Sequence, residues 1–343
     1  MHQLARLTSS DPALSHPARS RAAPARSGPS RASRRRHVAE AAAAAAIASA
    51  TIVTPATAAD TYAQTRYPVV LVHGLFGFDQ VGAADYFYAI PKALRDGGAT
   101  VFTPAVSAAN SNEVRGEQLL QTLLSLKATY GYSKFNLIGH SQGGETARYV
   151  AAVAPQLVAS VTTVGTPHFG SKLADALGSV TSVPLLGPTL VSLVNGFASV
   201  ISFITGSSAL PQDALGALQS LNSAGAAQFN KTYPQGAPTS NCGAGPAKVN
   251  GVSYYSVGGT AVLSNPFDIS DAVLALGALS YGTEPSDGVV GKCSSHWGTV
   301  LKDNYSWNHI DEVNQIFGLR GLFSQDPVAF YRSQANRLKS SGM

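Results

Sequence analysis

Cysteine occurs only twice in this 343-residue chain, at Cys242 and Cys293, and only 13% of the residues are charged. Neither cysteine sits in a tight strand-to-helix turn or beside a histidine motif, which argues against thiolate catalysis. No apolar run has the length and character of a membrane span. The best of them, Ala41 to Val53, is short and dominated by alanine. No internal repeat is visible, and no linker separates folded domains. The formal charge of +5 is misleading. Residues 1–59 hold eight arginines against Asp11 and Glu40, which leaves 16 basic and 17 acidic residues in 60–343. The body of the chain is therefore close to neutral, and nucleic-acid binding has no electrostatic footprint there. Between Asp175 and Asp213 there is no charged residue at all.

The arginines belong to a segment with the order of a secretion signal. A Pro/Ser/Arg-rich stretch ends at Arg34-Arg35-Arg36, the alanine-rich run follows, and Ala56-Thr57-Ala58-Ala59 offers a cleavage site. Residues 1–59 are read as a leader, and 60–343 as one large domain with a substantial core. An anchored, uncleaved leader is the alternative. In an exported protein the two cysteines predict one disulfide.

The stretch Phe135-Asn136-Leu137-Ile138-Gly139-His140-Ser141-Gln142-Gly143-Gly144 organises the rest. An apolar run ends in Gly-x-Ser-x-Gly, and a helix-compatible segment follows. This is the nucleophile-elbow pattern: a strained strand-to-helix turn lifts a serine hydroxyl above the sheet edge, and side chains at Gly139 and Gly143 would collide with neighbouring backbone. The helix start supplies N–H groups near an oxygen that becomes negative. Tyr67 to Val72 is a continuous β-branched run of the kind buried on both faces of a parallel sheet. His73-Gly74-Leu75-Phe76-Gly77 follows it. The second oxyanion donor belongs here, so the Leu75 and Gln142 N–H groups are assigned that role, with the His73 ring bracing the loop.

A serine needs a base, and the base needs an orienting carboxylate, in the chain order Ser, acid, His. His168 comes too early. His309 precedes a terminal helix, and His296 is its rival. Among the acids, Asp287-Gly288 before Val289-Val290 reads as a turn at a strand edge, while Asp268, Asp271 and Asp303 remain open. Strands alternating with helices, including a helix over Glu113 to Lys127, a strand over Leu157 to Gly165 and a terminal helix near Pro327 to Leu338, predict a mainly parallel sheet. The 268–271 region reads as an acidic turn, and Glu312 to Phe317 as a short helix. The uncharged stretch Val183 to Ile204 has a wide apolar face and a narrow polar one. It reads as a helical lid over about 180–210 that turns towards a lipid surface, with a core helix as the plain alternative.

With these residues located, the chain resembles the secreted bacterial true lipases of family I, the Pseudomonas and Burkholderia triacylglycerol lipases, and is most similar to the Pseudomonas branch. The resemblance rests on Val-His-Gly-Leu, Arg-Gly-Glu-Gln-Leu-Leu (115–120), Gly-His-Ser-Gln-Gly-Gly, Gly-Thr-Pro-His, Asp-Gly-Val-Val-Gly-Lys-Cys and Trp-Asn-His-Ile-Asp-Glu-Val-Asn-Gln. It implies an α/β-hydrolase fold with a helical lid, and a triad of Ser141, Asp287 and His309. It implies oxyanion donors on Leu75 and Gln142, and a Cys242–Cys293 disulfide. It also implies a structural calcium ion (Ca2+) held by Asp268 and Asp311 carboxylates and Gln315 and Leu319 carbonyls. The implied activity is hydrolysis of long-chain triacylglycerols at a lipid–water interface by a secreted monomer that matures with a periplasmic foldase. The rival expectations are an esterase for soluble short-chain esters and a catalytically silent lipid-binding module.

Overall fold

Val69–Val72 (β1) has no polar alternation because both of its faces are covered, and all four residues are buried. Val70 and Val72 point into one core with Leu119, Leu123, Phe135, Leu137 and Val150. Val69 and Leu71 point into the other, with Ile90, Leu94, Trp307, Tyr331 and Ala335. Adjacent residues of one strand thus feed two cores, which is the signature of a sheet sandwiched between helices. The computed structural model describes residues 59–77, 80–81, 84–180, 210–240 and 242–343. The leader over 1–59, apart from its last residue, and the lid over about 180–210, apart from Val180 and Leu210, lie outside the described residues.

The central sheet has seven strands. Besides β1 they are β4 (Val101–Phe102), β5 (Phe135–His140), β6 (Val158–Val164), β7 (Lys248–Val249), β8 (Val252–Gly259) and β9 (Thr299–Tyr305). A separate two-stranded ribbon joins β2 (Gln80–Val81) to β3 (Ala84–Asp85). The order is β4-β1-β5-β6-β8-β7, with β9 also on β8. All central pairings are parallel except the short β7–β8 edge. Among the described residues the α-helices are α1 (Ile90–Asp96), α2 (Asn112–Tyr130), α3 (Gln142–Val153), α4 (Lys172–Val180), α5 (Ala214–Leu221), α6 (Ser223–Thr232), α7 (Ile269–Ala278) and α8 (Pro327–Ser340). Helices α2, α3 and α6 contribute to the first core, and α1 and α8 to the second. β1, β5 and β6 end together, with Val72 opposite Gly139 and His140 opposite Val164. The loops at their carboxyl ends therefore cluster, as ligand-bearing loops do in open parallel sheets.

Several local expectations need correction. The 268–271 segment is no mere turn: Asp268 caps α7 by accepting the Ser270 N–H, and Pro266 upstream with few polar positions downstream hides the helical period. Glu312 to Phe317 shrinks to a 3-10 turn at Asp311–Val313, stopped by Asn314 at φ 60°. Val289-Val290 is not a strand edge; only an isolated Ser286–Gly291 bridge lies there. A disulfide joins Cys242 to Cys293 across a separation of 51 residues. In the chain-entropy relation a loop of that length is worth about 4 kcal/mol. The paired substitution Cys242→Ser with Cys293→Ser is expected to lower unfolding free energy in urea by roughly that amount, while the midpoint of reduced wild type falls to match it.

Candidate active site

Ser141 lies between β5 and α3 at φ 53°, ψ −131°, in a region that costs a non-glycine residue about 1–3 kcal/mol. Surrounding contacts hold it there. Its N–H donates to the Val164 carbonyl at 2.9 Å, and its own carbonyl accepts from Gly144 N–H and Thr166 Oγ1. A Cβ at Gly143 would stand 2.1 Å from the Val72 carbonyl, and one at Gly139 would stand 2.3 Å from the Gly143 carbonyl. These atoms are backbone and cannot yield, so both positions require glycine. Gln142 opens α3, and N–H groups of a first helical turn have no intrahelical acceptor.

The loop after β1 presses against the same turn. A Cβ on Gly74 would meet Ser141 Cβ at 2.7 Å, which brings the neighbouring Leu75 to the serine's side. His73 braces this loop. Its Nε2 accepts the Val106 N–H at 3.2 Å, so Nδ1 carries the proton and donates to the Gly74 carbonyl at 3.0 Å. Burial, with Arg115 nearby, drives its pKa down to about 3, so the ring stays neutral. The buried Arg115 guanidinium donates to the carbonyls of Ser107, His73 and Gly74 and to Thr146 Oγ1, tying loop, α2 and α3 together. The sequence reading gave Arg115 no role. The available signal was an arginine four residues before Leu119, on the stripe that Leu119 and Leu123 bury.

The histidine loop arrives from the other side. His309 Nδ1 donates to Asp287 Oδ2 at 2.8 Å, and its backbone N–H donates to the Asp287 carbonyl at 2.9 Å. The N–H groups of Val289 and Val290 donate to Asp287 Oδ1 at 2.8 and 2.7 Å. Asp287 is almost wholly buried. His140, the residue before Ser141, ties the two sides together. Tyr86 Oη accepts the Gly74 N–H at 3.1 Å and donates to His140 Nδ1 at 2.7 Å, while His140 Nε2 donates to the His309 carbonyl at 3.0 Å. The two imidazole centroids are 4.6 Å apart. Burial first, then the neighbouring His309, holds His140 well below the usual histidine range. Glu312, also buried, accepts the Gly259 N–H at 2.8 Å and is pushed well above the carboxylate range by burial and by Asp287.

The rivals are engaged elsewhere. His296 pairs with Asp303 at 3.0 Å beside the disulfide. His168 contacts Arg148 and Thr163 and stacks on Trp297. Asp271 accepts the N–H groups of Ser264 and Asn265 and the Asn308 amide.

Two donor sets bear on metal binding. His140, His309 and Glu312 bring ligand atoms within 4.8 Å of one another and could hold a metal by distance alone. His309 Nδ1 and His140 Nε2 already have protein partners, and imidazoles suit zinc-like ions rather than calcium. The second set contains only oxygen. Asp268 Oδ2 and Asp311 Oδ1 are buried with no hydrogen-bond partner among the described residues. The Asp311 carboxyl is pushed up to about 7 by burial and by the charges of Asp268 and Asp271. Buried carboxylate oxygens left without compensation fit a cation between them. Gln315 and Leu319 lie just beyond, their N–H groups donating to the Ile310 and Ile316 carbonyls.

Residues 67–283 match the family described as the alpha/beta hydrolase fold. A triacylglycerol lipase of Vibrio cholerae is 49% identical over 289 residues, covering 84% of this chain and 92% of that protein. One from Pseudomonas fragi is 44% identical, covering 83% of this chain and all of that protein. One from Burkholderia plantarii is 43% identical, covering 84% and 90%. Among solved structures, the mature lipase of Bacillus licheniformis shares the fold at 20% identity with a TM-score of 0.51, over 72% of this chain and 86% of that one. A metagenomic carboxyl esterase gives 0.54 at 17% identity, over 83% and 77%.

The neutral His73 has a measurable consequence. Its folded pKa lies below the unfolded value of 6.5, so between pH 6.5 and about 3 only the unfolded chain binds the proton. Its stabilising contribution is complete above pH 6.5 and falls at roughly 1.4 kcal/mol per pH unit below it. Glu145 and Glu312, both pushed upward by burial, slope the opposite way and mute the total. The comparison with His73→Gln isolates the effect: the urea-unfolding advantage of wild type over the variant shrinks from pH 7 to pH 5. A constant difference would contradict a buried neutral ring.

Proposed function

The chain belongs to the triacylglycerol lipase family of α/β-hydrolase-fold enzymes, and from that premise we propose that Ser141, His309 and Asp287 carry its chemistry. As a member it is a carboxylic ester hydrolase. The observation that carries the reading is the 2.8 Å Asp287–His309 pair, held beside the serine turn through His140. With Nδ1–H committed to Asp287, the other ring nitrogen of His309 is free to be the base. It takes the Ser141 hydroxyl proton as the oxygen attacks the ester carbonyl, and then returns that proton to the departing glycerol oxygen. The Leu75 and Gln142 N–H groups receive the developing oxyanion, each worth about 3–4 kcal/mol of barrier. Water, activated by the same imidazole, releases the fatty acid.

Asp268 and Asp311, with the Gln315 and Leu319 carbonyls, would hold calcium. When bound, the ion supplies charge compensation for carboxylates that otherwise lie buried side by side. The loop carrying Asp311 begins two residues after His309, so this compensation steadies the base without entering the reaction. The preferred substrate is long-chain triacylglycerol at an interface. The uncharged stretch 176–212 supports this over a soluble-ester esterase. The Asp287–His309 pair beside the serine turn supports it over a silent binding module. Export through the periplasm, maturation by a foldase and a monomeric working form complete the reading. Among the described residues no helix is long and apolar enough to cross a membrane.

Four measurements test this. Ser141→Ala is expected to abolish fatty-acid release from emulsified triolein. Asp287→Asn is expected to lower kcat by about 10⁴, because it disturbs the ring tautomer. Wild-type turnover of tributyrin should climb as the substrate passes its solubility limit; saturation below the limit favours the esterase. Separately, chelation of calcium should lower the thermal midpoint of wild type by about 5 °C and leave Asp268→Asn with Asp311→Asn unmoved.

A further inference from the structure

Large apolar side chains are exposed on two stretches that lie against each other. One runs from Leu263 through α7 to Leu279, and the other spans 317–323. Asn265 Nδ2 donates to the Arg320 carbonyl at 2.9 Å, and a Cβ on Gly321 would stand 3.0 Å from the Ser264 carbonyl. Leu322 and Phe323 are 94% and 97% exposed, and Leu263, Phe267, Ile269 and Leu279 are each more than 70% exposed. Soluble proteins rarely gather such side chains without an interaction to use them.

Charge is withdrawn from this face. From 261 to 283 the only charged residues are Asp268 and Asp271, both buried and turned inward to cap α7 and the 264–265 backbone. From 313 to 325 only Arg320 is charged, and it faces Asp326 at 3.7 Å. The relief also matters. Side chains exposed to 94% and 97% are prongs on a loop tip, not the lining of a groove. A folded protein partner would have to present a matching pocket and a polar rim. A neutral acylglycerol surface has no charges to pair and closes around any prong.

We infer that Leu263, Phe267, Ile269, Leu279, Leu322 and Phe323 form a docking surface for the uncharged face of an acylglycerol droplet. The inference rests on the lipase reading and adds to it a contact made by residues other than those of the 180–210 segment. The contact is built on the chain that continues directly from the His309 loop, so docking would bring the site to the lipid.

The test is flotation with detergent-free triolein emulsion in a Ser141→Ala background, which separates binding from turnover. Leu322→Ser with Phe323→Ser is expected to weaken droplet affinity at least about tenfold, since each side chain forfeits its transfer from water. In the active background the same pair should leave kcat/KM on dissolved p-nitrophenyl butyrate within about twofold, and Leu322→Met with Phe323→Leu should retain droplet affinity. Equal affinity of the serine variant and its parent overturns the inference. So does a wild-type dimer that the serines split while flotation is unchanged, and so does a lowered secreted yield with unchanged flotation of the purified chain. If the dissolved-ester rate also collapses, Leu279→Ser decides by the same flotation. Wild type that fails to hydrolyse triolein, yet floats through these residues, would sink the lipase reading and leave the docking surface standing.

Discussion

The Val72 carbonyl stands where a Cβ on residue 143 would have to go, 2.1 Å away. That close approach sets the position of everything near Ser141. Helix α3 can start directly on top of the sheet only because glycine at 143 lets its first turn touch β1, and glycine at 139 lets β5 turn under it. The serine between them is then forced to φ 53°, a conformation it would not choose. The strain is repaid by the Val164 and Thr166 contacts to its backbone and by packing of α3 against α2 and the sheet. A hydroxyl on a relaxed loop would sample many directions. Here its direction is fixed in advance, so under the mechanism proposed above little reorganisation would be left for the reaction step.

Around that turn most polar groups are buried, and burial favours the neutral forms of several of them. His73 and His140 are pushed down, and Tyr86 and Glu312 up. The choice has a mechanistic sense. His140 and His309 face each other at 4.6 Å, and a charged His140 would oppose a proton arriving on its neighbour. Held neutral among Tyr86, the His309 carbonyl and the Glu312 carboxyl 3.2 Å away, it ties down the loop that carries the proposed base without competing for the proton. Arg115 does comparable work for the opposite loop, spending its donors on the carbonyls of residues 73, 74 and 107.

Much of this was legible in the residues. The β-branched run at 69–72 announces a doubly covered strand, and the glycine spacing around Ser141 announces the turn, because each pattern has one strong local cause. The order of serine, acid and histidine narrows the partners to a few. What stayed hidden depends on tertiary context. Helix α7 looked like an acidic turn because its cap, Asp268, and its inner Asp271 are polar for reasons supplied by loops far along the chain. Helices α5 and α6 are short and interrupted by Gly216 and Gly225, and they meet at Asn222, so neither offers a long period to read. Strand β9 carries Lys302, Asp303 and Asn304 because it is a half-buried edge. The exposed Leu322 and Phe323 give no signal in sequence, since an isolated Leu-Phe pair is core far more often than surface.

The placement of acids and apolar groups in the 261–325 region follows one rule. Both carboxylates on the 261–283 stretch turn inward, Asp271 towards loop backbone and Asp268 with one oxygen left, like one of Asp311, without a hydrogen-bond partner among the described residues; the large side chains turn out. Reversing that arrangement would give an ordinary soluble surface. Folding alone gains by burying Phe267 and Ile269 and exposing Asp268 and Asp271. A chain that does the opposite gives up hydrophobic burial of roughly 1.5–3 kcal/mol for each large side chain left in water. Such a loss is sustained only where something outside the folded chain recovers it, and the uncharged character of the face restricts that something to a surface without charge.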